Sequence, residues 1–174
     1  MKPEAQMKKL AYSLVILLLA ISLTACGFKL RGSGGDTKIA NLPASIYIAG
    51  VEPYSDLDRE IQRRIKGSGS TIATAAAGSD ALLSISSRIS DKRSMAVNRT
   101  NDDAEFELTE GYKFALRAPG KGELVPSQTV RVTRILYAPD SETLSGSNEE
   151  KQLRKEMIRQ LVDQMMRRIS IRLR

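Results

Sequence analysis

Residues 104–117 read Ala-Glu-Phe-Glu-Leu-Thr-Glu-Gly-Tyr-Lys-Phe-Ala-Leu-Arg. Ala104, Phe106, Leu108, Tyr112, Phe114 and Leu116 alternate with Glu105, Glu107, Thr109, Lys113 and Arg117. Successive side chains of a strand point to opposite faces, so this run predicts a long strand with one apolar and one polar face. Upstream, Leu83, Ile85 and Ile89 alternate with Ser84, Ser86 and Arg88; downstream, Val130, Val132 and Leu136 keep the same period. Three such strands make a sheet whose apolar side needs a cover.

Two helices supply it. Leu153, Met157, Leu161, Met165 and Ile169 recur every four residues, joined by Ile158 and Val162, with Ser147 and Glu150 reading as a capping box. Basic residues gather in the last turn of this helix (Arg167, Arg168, Arg172, Arg174), where they complement its dipole. Leu57, Ile61 and Ile65 mark a shorter helix that starts at Ser55 and Asp58 and should stop at Gly67 in a left-handed conformation. Strand-forming segments flank it, Ile46 to Val51 before and Ser70 to Thr74 after, a spacing that suits a right-handed parallel crossover. Pro43, Pro53, Pro119, Pro126 and Pro139 are expected between elements, where a missing N–H costs no ladder bond. The expected fold is α+β: a two-layer α/β sandwich, with a mixed sheet of about four strands and two amphipathic helices packed on one face. The other face carries Ser84, Ser86, Arg88, Glu105, Glu107, Lys113 and Arg131, and should meet water or a polar partner.

The N-terminal segment is an address rather than part of the fold. Lys8 and Lys9 precede an apolar run from Leu10 to Leu23 of about fourteen residues, short of the roughly 20 needed to span a bilayer. Met7 would serve as a start as well as Met1. The run ends in Leu23-Thr24-Ala25-Cys26, which resembles a bacterial lipobox. That resemblance implies cleavage before Cys26, diacylglycerol on its sulfur and an acyl chain (palmitate) on the new amino group. The competing reading is a plain secretory peptide followed by a free thiol. Gly27, rather than Asp, follows the cysteine, and by the same resemblance the anchor is destined for the outer membrane. The expected organisation is a lipoprotein signal peptide over 1–25, a lipidated N-terminus and glycine-rich tether over 26–44, and a single domain over 45–174.

Composition narrows the chemistry. In 174 residues there is no His, one Cys and no Trp. Without His, Ser-His-Asp and Cys-His catalysis are excluded, and a zinc or iron–sulfur site is not expected. Neither a phosphate loop nor a Gly-x-Ser-x-Gly elbow is present. Glu105 and Glu107 could pose as a carboxylate pair, but beside Lys113 and Arg117 they read as cross-strand ion partners. No enzyme activity and no cofactor are expected. A formal net charge of +7 raises nucleic-acid binding, yet an exported, lipidated chain does not meet DNA and lacks aromatics interleaved with basic residues.

Cys26-Gly27-Phe28-Lys29-Leu30-Arg31-Gly32 resembles the start of the mature proteins of the LptE family, lipopolysaccharide-assembly lipoproteins of Gram-negative outer membranes. The likeness extends through the strand–helix–strand opening, the three longer strands and the terminal helix, and residues 94–107 look like that family's hairpin. The resemblance implies a plug seated inside the LptD β-barrel as a heterodimer, passing lipopolysaccharide to the outer leaflet. It also implies contact with lipopolysaccharide through basic residues at one end of the domain.

Read from the residues, the candidate lipopolysaccharide site is Arg88, Lys92, Arg93 and Arg99, with Asp91 the one acid between residues 81 and 101. Clustered Arg and Lys meet lipid phosphates with charge-assisted hydrogen bonds. Arg99 matches the basic residue at the family's hairpin tip and ranks first. The competing reading is a set of solvated charges that discourage strand–strand aggregation. Family members can add a basic residue in the loop before the last helix; Ser145-Gly146-Ser147 has none. The alternative function is an adaptor lipoprotein of another cell-envelope assembly machine.

Overall fold

The computed structural model describes residues 41–97, 103–137 and 144–174. Five strands and two helices follow in the order β1 (Ser45–Ala49), α1 (Asp56–Gly67), β2 (Thr71–Ile72), β3 (Ala81–Val97), β4 (Asp103–Ala118), β5 (Gly122–Tyr137) and α2 (Leu144–Arg172). They form one mixed sheet ordered β2-β1-β3-β4-β5. β1 runs parallel to both neighbours, whereas β3, β4 and β5 form an antiparallel meander. The sheet has five strands against the expected four or so; β2 falls within the predicted segment Ser70 to Thr74, and its register is limited to Ser45↔Thr71 and Ile46↔Ile72. The two-layer sandwich stands as the sequence predicts.

One apolar cluster joins the layers. Phe106, Leu108, Phe114 and Leu116 of β4 meet Leu83 and Ile85 of β3, Leu57, Ile61 and Ile65 of α1, and Met157, Leu161, Met165 and Ile169 of α2. Burying each such side chain contributes roughly 1.5–3 kcal/mol, so the aliphatic layer, poor in aromatics, holds the domain together.

The caps of α1 are built locally. Ser55 accepts from the Asp58 N–H at 3.2 Å, and the Asp58 carboxylate accepts in return from the Tyr54 N–H at 2.9 Å. At the other end the helix runs through Gly67 to Ser68, and the left-handed residue is Gly69 (φ 89°), two positions beyond the expected stop. α2 begins at Leu144, so Ser147 lies within the helix rather than at its cap. Glu150, expected to complete that capping box, is used elsewhere.

Two irregularities shape the sheet. Pro126 lies inside β5 rather than between elements, at a register shift between Leu116↔Val125 and Phe114↔Gln128. β5 is an edge strand, and an edge bulge is where a residue without an N–H fits. The second shift separates Ser86↔Lys113 from Ile89↔Gly111 on β3, with Ser87 at φ 50°. One extra residue there reverses the faces from Ile89 to Ser94, beyond which the register shifts again.

Candidate functional site

Because of the bulge at Ser87, the alternation predicted for β3 holds through Ile85 and then inverts. Ile89, expected on the apolar face, lies on the open face over Gly111; its Cβ is 3.4 Å from where a Gly111 Cβ would stand. Ser90 and Lys92 turn toward α2 instead. Arg88, expected on the polar face with Ser84 and Ser86, approaches Glu110 on the helix side, with Nε 3.9 Å from Oε2.

The predicted basic residues separate, because β3 continues as a strand to Val97 and neighbouring side chains point to opposite faces. Lys92 donates to Glu150 of α2 at 2.9 Å and rests over the Phe106 ring, 4.1 Å from its centroid. Arg93 points the other way and donates to Glu107 on the open face at 2.9 Å. Arg88 stays largely in solvent, its side chain 62% exposed. Arg99 and Cys26 lie outside the described residues.

Under Lys92 sits a buried charge network that the sequence pattern barely announces. Glu110 is 1% exposed. Its Oε1 accepts from Ser90 Oγ at 2.8 Å and from Arg154 Nη1 at 2.5 Å. The same guanidinium donates through Nε to Glu150 at 2.8 Å, so the chain Glu110–Arg154–Glu150–Lys92 links β4, α2 and β3. Oε2 of Glu110 has no hydrogen-bond partner among the described residues. Burial opposes ionisation of Glu150, but hydrogen bonds and charge from Lys92 and Arg154 outweigh it and hold its carboxyl below the usual range. Burial likewise disfavours the Arg154 cation, and its two carboxylate partners more than restore it, raising its pKa. Next to Glu110, Tyr112 is pushed up by burial and by the Glu110 charge, partly offset by Arg88. A cleft of about 390 Å³ opens beside Tyr112 and Arg88, walled by Val51 and Leu57.

The open sheet face is less polar than predicted. Ile135 and Tyr137 of β5 stand opposite Glu107 and Glu105 and are 63% and 64% exposed. Neither helix covers them.

The model of the LptE lipopolysaccharide-assembly family matches residues 44–169. The chain belongs to that family. Rare lipoprotein B from Shewanella oneidensis superposes with a TM-score of 0.61 at 23% identity, over 71% of this chain and 91% of that one. A lipoprotein B from Nitrosomonas europaea gives 0.64 at 29% identity, over 83% and 90%. A minor lipoprotein from Acinetobacter baumannii gives 0.61 at 13%, over 75% and 92%, a likeness of fold alone. No curated protein matches the sequence.

The match takes in α1, the whole sheet, α2 as far as Ile169 and the Glu110 network, which places this LptE-family chain among lipopolysaccharide-assembly proteins. Glu110 has a signal in the sequence: it occupies an apolar position of the 104–117 alternation. Glu150 and Arg154 have none, since Glu150 reads as half of a capping box and Arg154 as a helix-surface residue.

Proposed function

We propose that this protein is an outer-membrane lipoprotein that plugs and assists assembly of the LptD β-barrel and binds lipopolysaccharide on its way to the outer leaflet. The family match over 44–169 carries this reading. Cys26 would hold the domain to the membrane through its acyl chains, since each buried methylene contributes roughly 0.8 kcal/mol. The uncovered sheet face, with Ile135 and Tyr137 beside the Arg93–Glu107 pair, is the surface suited to a barrel wall, being apolar at its edge and hydrogen-bonding across its width.

Lipopolysaccharide would meet the hairpin of β3 and β4, through Arg88, Lys92 and Arg93 and through Arg99, which follows them in the sequence. Lys92 and Arg93 are each held by one carboxylate at 2.9 Å, so a lipid phosphate must compete with Glu150 and Glu107 for them. A dianionic phosphate offers more charge than either carboxylate, and it can take the guanidinium of Arg93 in bidentate fashion.

The test is a detergent pull-down of the chain from its native envelope, with mass spectrometry of the partner and of Cys26 itself. A barrel-sized outer-membrane protein and a triacylated cysteine are expected. A different assembly machine in the eluate would replace the LptD reading with the adaptor reading. An unmodified Cys26 would remove the anchor.

A further inference from the structure

The basic surplus of the domain does not sit where lipopolysaccharide is proposed to bind. Around the β3–β4 hairpin, Arg88, Lys92, Arg93 and Arg154 each stand against a glutamate. At the opposite end, Arg167, Arg172 and Arg174 have no ion-pair partner among the described residues. Arg168 is held by neutral oxygens, Gln128 Oε1 at 3.3 Å and the Thr129 carbonyl at 2.8 Å, so its charge is not cancelled. Two carboxylates of the domain, Glu123 and Asp163, are engaged by Arg117 and Arg64.

Geometry makes these charges one surface. Positions 167, 168, 171 and 172 fall within about 140° of helix circumference at 100° per residue, opposite the buried Met166 and Ile169, and Arg174 follows two residues beyond the helix. Ile171 stands within that arc and is 67% exposed, an apolar side chain among three helical arginines. The chain also enters the domain here. Asn41 Nδ2 donates to the Leu173 carbonyl at 3.4 Å, so the segment leading back to Cys26 joins the fold against the last turn of α2. Fifteen residues separate Asn41 from Cys26 and span at most about 50 Å.

We propose that the C-terminal turn of α2 docks on the anionic phospholipid surface of the membrane that carries the anchor, with Arg167, Arg168, Arg172 and Arg174 over the headgroups and Ile171 dipping into the interface. The inference rests on the acylated Cys26 of the proposed function. An anchor confines the domain near the bilayer, and a basic face then fixes which end turns toward it. The acyl chains of Cys26 hold the chain to the bilayer, and a polybasic patch adds orientation. Each arginine near such a surface raises partitioning by about fivefold, an effect that falls off within a Debye length of about 10 Å at 0.1 M salt.

The experiment uses the full acylated chain carrying Ile171→Cys, labelled with an environment-sensitive fluorophore; thioether-linked Cys26 does not react. Vesicles of phosphatidylcholine alone are compared with vesicles containing phosphatidylglycerol. Flotation on both reports the anchor. A blue shift of the label with phosphatidylglycerol vesicles alone, reversed by high salt and lost in Arg167→Gln/Arg172→Gln/Arg174→Gln, is the expected result. A label at Tyr54, which is 84% exposed at the start of α1, should stay in water throughout. Flotation with no shift would overturn the docking and leave the anchor standing, whereas no flotation on phosphatidylcholine would remove the anchor. A shift produced by lipopolysaccharide in neutral vesicles, but not by phosphatidylglycerol, would also overturn the proposal.

Discussion

Nη1 of Arg154 lies 2.5 Å from Oε1 of Glu110, so a guanidinium from α2 closes over a carboxylate with almost no contact with water. The pair joins helix layer to sheet layer on a face that is otherwise largely apolar. A buried carboxylate has few ways to recover its lost hydration, and one of its two oxygens here has no hydrogen bond among the described residues.

Arg154→Met is therefore expected to lower stability by about 3–5 kcal/mol, because it strands Glu110 without its counter-charge. Glu110→Leu/Arg154→Met should recover most of that loss, since an apolar pair of similar volume has no charge to desolvate. Urea unfolding of the two variants and the parent checks both statements. A single substitution costing less than about 1 kcal/mol would show that water reaches Glu110.

Acid should remove the stability that Glu150 contributes. Its folded-state pKa is depressed by Lys92 and Arg154, against the opposing effect of burial, so it contributes stability at neutral pH. That contribution is full above the ordinary carboxylate range, about 4.3, and is lost as pH falls through it toward the lowered folded value. Thermal unfolding between pH 6 and 3 should show a steeper decline for the parent than for Glu150→Gln, which has no proton to take up.

Both helices and the period-two strands are legible because burial repeats every 3.6 and every 2 residues, and Phe106, Leu108 and Phe114 or Leu153, Met157 and Leu161 carry that repeat unaided. The reversal of β3 is not legible. It depends on Ser87, a non-glycine residue at positive φ whose preference comes from tertiary contact and not from its own chemistry. Unbroken alternation puts Arg88 and Ile89 on the wrong faces, and reading residues 88–99 as a strand end and turn makes one cluster of Lys92 and Arg93, which point to opposite faces of a strand that runs on to Val97. Glu110 interrupts an otherwise apolar face, and that interruption is the one sequence mark of the network.

Gly50 holds the turn after β1 against the bulged strand. At φ 78°, a Cβ on this residue would overlap the Ile85 carbonyl oxygen, a backbone atom that cannot swing away. Gly50→Ala should cost more than the about 1–3 kcal/mol that left-handed strain alone entails, because β3 must also retreat. Gly120→Ala is the control, since Gly120 has φ 74° and open space around it. The difference between the two in chemical denaturation isolates the clash.

Charge reversal at the hairpin tests where lipopolysaccharide is held. Lys92→Glu/Arg99→Glu should weaken lipopolysaccharide binding while the barrel partner still co-purifies; unchanged binding would reject the patch. The double variant also sets a second carboxylate, at position 92, beside Glu150, so its loss of binding could come from local repulsion. Glu150→Gln separates the two causes. It frees the Lys92 ammonium from a competitor 2.9 Å away without adding negative charge. A partly exposed pair of this kind is worth up to about 1 kcal/mol, so release of Lys92 should tighten binding by up to about fivefold if its ammonium meets the phosphate. Binding that weakens in Glu150→Gln, or does not change, would confine Lys92 to the packing of α2 on the sheet and leave the ligand to Arg99 and Arg93.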